Sequence, residues 1–207
     1  MSPVARILKK RRFFYPLFLL PLAYLAVPIL QSDTELLADP AKYLLEYVGL
    51  AATLLFVTTL CVTPLRKLFP KSSIVKSIAF HRRAIGLSVF AYALLHIVIY
   101  YFYTGSWEGF VKDWSKLFIL SGILAFALLL ALAATSNNRS VRALGGRAWK
   151  RLHRLAYPIM FLLIYHQAVQ EKTGYRETIQ YFAPLILLQT CRIAIAIRDR
   201  RRLQSTS

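Results

Sequence analysis

Four histidines carry the chemistry this chain can do, and two of them, His96 and His166, sit deep in stretches that are otherwise apolar. The segment LHRLAYPIMFLLIYHQ shows the pattern, with His153 near one end and His166 near the other. A histidine in hydrocarbon is costly and is retained with a partner. His96 lies 13 residues beyond Arg83, and His166 lies 12 beyond Arg154. At about 1.5 Å of helix rise per residue, they stand roughly 20 and 18 Å above the inner surface. That is one depth, in the outer half of a hydrocarbon core about 30 Å thick. Two imidazoles at one depth on two helices can ligate one flat metal cofactor held between them, as axial histidines do on haem iron. The competing reading is a pair of helix–helix hydrogen bonds. The matched depth, in spans without a central lysine or acid, favours bis-histidine haem; a proton relay would recruit carboxylates as well.

The remaining candidates gather at the basic margins. His153 is 13 residues from His166, about 20 Å along a helix, and the two project about 140° apart at ~100° per residue. A second haem near the inner surface is compatible with that spacing but not demanded, so His153 stands open between ligand and interfacial residue. His81 precedes Arg82 and Arg83; it reads first as a loop residue among anionic headgroups and second as an extra ligand. Arg82, Arg83, Arg147, Lys150, Arg151 and Arg154 satisfy the inside-positive bias. They also suit haem propionates or a flavin phosphate, which guanidinium groups bind bidentately. Trp149 and Tyr157 read as interface anchors, with stacking on a cofactor as the alternative.

The elements that must position these residues are membrane helices. Of 207 residues, 57% are hydrophobic and only 17% charged, and the apolar residues come in runs of about twenty, the length that crosses a bilayer. The expectation is an all-α integral membrane protein, a single domain over 1–207, with six transmembrane helices near 13–30, 44–63, 84–103, 117–135, 155–171 and 178–197. Of the 27 lysines and arginines, 22 fall on one side of these spans, which places both termini in the cytoplasm. The net charge of +18 is therefore topogenic, and nucleic acid is not an expected partner. The basic start followed by an apolar run resembles a signal peptide, but the run is too long and lacks a small-residue cleavage site; it reads as a retained span. Cys61 and Cys191 lie near cytoplasmic ends, where a disulfide is not expected. No GxGxxG or Walker motif and no internal repeat is discernible. A nicotinamide-binding domain is thus not expected, and electrons must come from a separate donor.

Several stretches together resemble a known family. They are ADPAKYLLEYVG, the TPL of CVTPLRKLF, RRAIGLSVFAYALLHIVIY, LALAATSNNRSVRALGGRAWKRLHRLAY and IYHQAV. The spaced combination is similar to the MsrQ family, membrane subunits of bacterial methionine sulfoxide reductase systems within the ferric-reductase-like transmembrane group. The resemblance covers nearly the whole chain after the first span. It implies haem b, one or two per chain, and FMN. It implies a donor that is a cytoplasmic flavin reductase or a membrane quinol, and a periplasmic molybdopterin partner, MsrP, that reduces oxidised methionine. It implies the bacterial inner membrane as location and maps the haem-linked histidines onto His96, His153 and His166; His81 matches none. Three rival readings remain: a self-contained ferric or quinone reductase, a histidine-based proton-coupled transporter, and a structural anchor. Trp107, Glu108 and Trp114 on the outer side suit either partner docking or membrane anchoring.

Overall fold

The protein is described from a computed structural model that defines residues 6–7, 10, 15–170 and 175–204. Lys9, Arg11 and Arg12 of the basic N-terminal run, the start of the first expected span at 13, and Lys172 lie outside them. Every regular element among the described residues is helical. A 3-10 turn at Tyr15–Leu19 leads into α1 (Leu20–Tyr24), α2 (Ala26–Leu30) and α3 (Thr34–Ala38). The long helix α4 (Pro40–Leu68) is followed by α5 (Ser73–Phe80), α6 (Arg82–Thr104) and the short α7 (Trp107–Lys112). Then come α8 (Leu117–Ala134), α9 (Asn138–Leu152), α10 (Ala156–Gln170) and α11 (Arg176–Gln204).

The boundaries follow capping chemistry. Asp39 accepts from the Lys42 amide with Pro40 in the first turn of α4, and Ser72, Ser106 and Asn137 cap α5, α7 and α9 in the same way. Such caps satisfy amides that a helix start leaves without partners. Gly105 closes α6 in the left-handed region at φ 71°, a conformation glycine adopts without a Cβ penalty.

Among the described residues, four helices are long and apolar enough to cross a membrane: α4, α6, α8, and α11 over Arg176–Arg198. They contain the second, third, fourth and sixth expected spans. The fifth expected span is shorter as a helix: α10 has 15 residues, preceded by a single 3-10 turn at His153–Leu155. The first is broken into short pieces, because Pro16, Pro21 and Pro28 each remove an amide donor. At one break the Leu25 N–H turns to the Leu22 carbonyl, leaving the Pro21 carbonyl free. Tyr47 fills the gap by donating its hydroxyl to Pro21 O at 2.7 Å, and Tyr92 does the same for Phe18 O at 2.6 Å. Broken backbone inside a membrane protein persists where neighbours re-satisfy it in this way.

The core runs along α4. Phe56 and Leu60 of α4 pack with Ala125 of α8, Ile159 of α10 and Phe182 and Leu185 of α11. Large apolar side chains such as Leu117, Leu130, Phe161 and Leu187 face outward, as a surface solvated by lipid tails requires. Cys61 is buried, Cys191 is exposed, and both are free thiols.

A repeat that the letters hide is plain in the architecture. The most extensive packing joins α4 to α6 and α8 to α10. In each case a long helix, a connecting helix (α5 or α9) and a second apolar helix follow in order. Each second helix carries one of the deep histidines, His96 on α6 and His166 on α10.

Candidate metal centre

The two deep histidines meet. Their ring centres lie 6.4 Å apart and their planes are turned 85° to each other. Each ring is held by the neighbouring helix of its own unit. His96 donates Nδ1–H to the Leu45 carbonyl at 2.9 Å, and His166 donates Nδ1–H to the Phe118 carbonyl at 2.7 Å. A carbonyl only accepts, so the proton is on Nδ1 and the Nε2 lone pair of each neutral ring is free.

Glycines make room for this arrangement. A Cβ on Gly49 of α4 would lie 2.8 Å from His96 Nδ1 and 2.9 Å from its Cε1. A Cβ on Gly122 of α8 would lie 2.8 Å from both His166 Nδ1 and Cε1. The Nδ1 edge of each ring is thus pressed against a glycine.

A polar link crosses between the two units beside the pair. Gln167, next to His166, donates Nε2–H to Thr53 Oγ1 at 3.2 Å, and Thr53 donates its hydroxyl to the Gly49 carbonyl at 3.1 Å. Gln167 Oε1 is buried and has no hydrogen-bond partner among the described residues.

The other candidates are placed elsewhere. His153 stacks on Trp149, with ring centres 3.9 Å apart and planes 30° apart, and its Nε2 lies 3.3 Å from Thr135 Oγ1. Trp149 also donates Nε1–H to the Thr135 carbonyl at 2.9 Å. Its face is therefore engaged by a histidine. Burial, then the cations Arg82 and Arg83, hold His153 below the ordinary imidazole range, so these three form a group at the basic end. Arg83 reaches Asn138 Oδ1 at 2.7 Å, tying the start of α6 to α9. Arg151 is exposed in the last turn of α9. His81 lies in the turn between α5 and α6, but it is buried rather than turned to headgroups. It caps the α5–α6 junction at 3% exposure, edge-on to Phe80 and Tyr15, because the N-terminal segment folds over it. Trp107 and Trp114 flank the buried Phe110.

Residues 48–164 match the family described as the ferric reductase like transmembrane component. The heme-binding subunit MsrQ of a protein-methionine-sulfoxide reductase from Azospira oryzae is 34% identical over 165 residues, covering 78% of this chain and 69% of that one. The corresponding MsrQ from Ralstonia nicotianae is 33% identical over 184 residues, covering 86% and 83%. The chain belongs to the MsrQ group of the ferric-reductase-like family. It is also 34% identical over 162 residues to the magnetosome protein MamZ of Magnetospirillum gryphiswaldense, of which it covers 24%. No solved structure matches it.

The histidine pair of this MsrQ-family chain fits haem. Imidazole nitrogens about 2 Å from a shared metal, with ring centres about 1 Å behind them, give centres roughly 6 Å apart; the observed spacing is 6.4 Å. The donor chemistry agrees, since neutral imidazoles with the far N–H bonded to a carbonyl are how histidine ligands are oriented. Sequence reasoning found the pair but missed Gly49, Gly122 and the Thr53–Gln167 link. A glycine inside a membrane helix was the available signal, since small residues mark close helix approach. A backbone carbonyl leaves no signal in the letters.

Proposed function

We propose that this chain is a six-helix membrane electron-transfer subunit that binds haem b between His96 and His166. The observation that carries this reading is the facing pair of imidazoles, each with Nδ1 committed to a carbonyl and Nε2 free. Bound haem supplies a one-electron carrier. The chain's own residues do the rest. His96 and His166 hold the iron, the carbonyls of Leu45 and Phe118 orient the rings and raise their basicity, and apolar helices exclude water. Bond-making on a sulfoxide is assigned to a catalytic partner.

The finer reading rests on the family and on charge. The skew of lysine and arginine supports cytoplasmic termini and six spans in the inner membrane, with α10 and the proline-broken N-terminal segment completing the four longer helices. Electrons then pass from a cytoplasmic flavin reductase or a quinol to the periplasmic molybdopterin subunit MsrP, which reduces methionine sulfoxide in oxidised proteins. The names of the relatives support a partnership with the catalytic subunit of a methionine sulfoxide reductase; MsrP and the donors rest on the resemblance. His153, with Arg82, Arg83 and Arg151 at the basic end, is the place to seek a second haem or propionate contacts. FMN is supported by the resemblance alone.

A reduced-minus-oxidised visible spectrum of the purified protein in detergent, with haem quantified per chain, tests this. His96→Ala and His166→Ala are expected to abolish a low-spin b-type signal, and His153→Ala, with the haem ratio, distinguishes one site from two. A colourless protein after haem-supplemented expression would sink the reading. Reoxidation of the reduced protein by oxidised MsrP, rather than by ferric iron or quinone, separates the subunit from a self-contained reductase.

A further inference from the structure

We propose that Gly49 and Gly122 are positioning residues for the haem ligands, each clearing a seat in which the carbonyl one turn earlier receives the imidazole Nδ1–H. The inference rests on the haem reading above and deepens it. Leu45 and Gly49 stand four residues apart on α4, and Phe118 and Gly122 stand four apart on α8. The spacing has a reason. In an α-helix the carbonyl of residue i lies beneath the side-chain position of residue i+4, so a missing Cβ at i+4 uncovers that carbonyl laterally. The two seats are the same device used twice, once in each helix unit, and glycine is the only residue that LEYVG and FILSG share at the same position.

Not every glycine here does this. Gly86, inside α6, would meet nothing within 4 Å if a Cβ were added. At Gly49 and Gly122 the added carbon would fall 2.8 Å from ring atoms, whereas carbon contacts settle at about 3.5–4.0 Å. The ring must then retreat by roughly 1 Å, which stretches bonds of 2.9 and 2.7 Å past the ~3.5 Å at which a hydrogen bond is lost. An imidazole whose Nδ1–H has lost its acceptor is a poorer electron donor through Nε2. The oxidised iron is then less stabilised and the midpoint potential rises. The glycines thus govern both which nitrogen faces the cofactor and how basic that nitrogen is.

The test compares Gly49→Ala and Gly122→Ala with Gly86→Ala as the matched control. Haem-loaded protein in detergent is titrated potentiometrically, and its oxidised form is examined by electron paramagnetic resonance. The expected result is a higher midpoint potential and altered low-spin g values in the first two variants, with neither change in Gly86→Ala. Wild-type potential and g values in Gly49→Ala and Gly122→Ala would overturn the proposal. The wild type gives a second reading that does not depend on how the variants fold. Seats that hold the ring planes 85° apart predict the strongly anisotropic low-spin signal of crossed axial imidazoles, and the rhombic signal of parallel planes would overturn the proposal. A wild type that binds no haem would overturn the functional reading itself, whereas haem bound with unaltered alanine variants overturns only the role of the glycines.

Discussion

Thr53→Val should destabilise the protein, and adding Gln167→Leu should restore most of what is lost. Among the described residues Thr53 Oγ1 is the only acceptor for Gln167 Nε2, at 3.2 Å, and Gln167 Oε1 has no partner. Valine keeps the branched shape but removes the acceptor, so both ends of one amide are then left unsatisfied in a part-buried site. A lost hydrogen bond that strands its partner costs about 1–3 kcal/mol, whereas replacing both partners by apolar groups is nearly neutral. The Thr53 hydroxyl also bonds back to Gly49 O, but that local bond adds little to a helix. The single variant should therefore lose about 1–3 kcal/mol, and the double variant should lie within about 1 kcal/mol of wild type. Unfolding by sodium dodecyl sulfate in mixed micelles, followed by circular dichroism, measures each corner of the cycle. A double variant less stable than Thr53→Val alone would refute the argument, because the amide would then be contributing through something other than Thr53.

Three further expectations come from other parts of the molecule. Tyr47→Phe and Tyr92→Phe each remove one hydroxyl that holds the N-terminal segment; at about 0.6 kcal/mol for a typical bond between membrane helices, reaching ~1.7, the double variant should speed protease cleavage near Leu25 several-fold. Lys116 first, and then Tyr100, hold the Asp113 carboxyl below the ordinary carboxylate value. A carboxylate with a depressed folded value adds stability above the ordinary value of about 3.9 that is lost as pH falls through the folded one, so the difference between thermal unfolding scans of wild type and Asp113→Asn should be full at pH 6 and shrink progressively as pH falls below about 3.9. For Trp149, phenylalanine keeps a ring over His153 but loses the bond to the Thr135 carbonyl, while alanine loses both. The expected order of stability is wild type, Trp149→Phe, Trp149→Ala, with about 1 kcal/mol for the first step; equal stability of the two variants in the same detergent assay would remove the stack from the account.

The pairing of His96 with His166 was legible because depth in a membrane helix is arithmetic: residue count times rise. Four expected spans were legible for the same reason, since length and apolar character are properties of letters. The first span was not, because three prolines divide it and the tyrosines that repair it, Tyr47 and Tyr92, come from helices remote in sequence. His81 was misjudged for a related reason. Its neighbours Arg82 and Arg83 signal a surface, but the cover over its ring comes from Tyr15, 66 residues earlier. The repeat escaped notice because what the two units share beyond one histidine each is a carbonyl and an absent Cβ, and of these only the glycine has a letter.

The two-unit construction bears on how the site holds together. Each unit supplies one histidine and seats it internally, through α4 against α6 and α8 against α10. Neither unit alone contains both deep histidines, so the facing pair exists only when the units are docked. The contacts that dock them are the apolar core along α4, closed by Phe182 and Leu185 of α11, and the Thr53–Gln167 bond beside the rings. Any cofactor that needs both imidazoles therefore binds the docked arrangement in preference to the separated one, and stabilises it by mass action. Ring orientation is settled within each unit and ring spacing between units, so a change at a glycine seat and a change at the Thr53–Gln167 bond should alter different properties of the same pair. The first acts on the electronic character of each imidazole, the second on whether the two imidazoles stay close enough to share one metal.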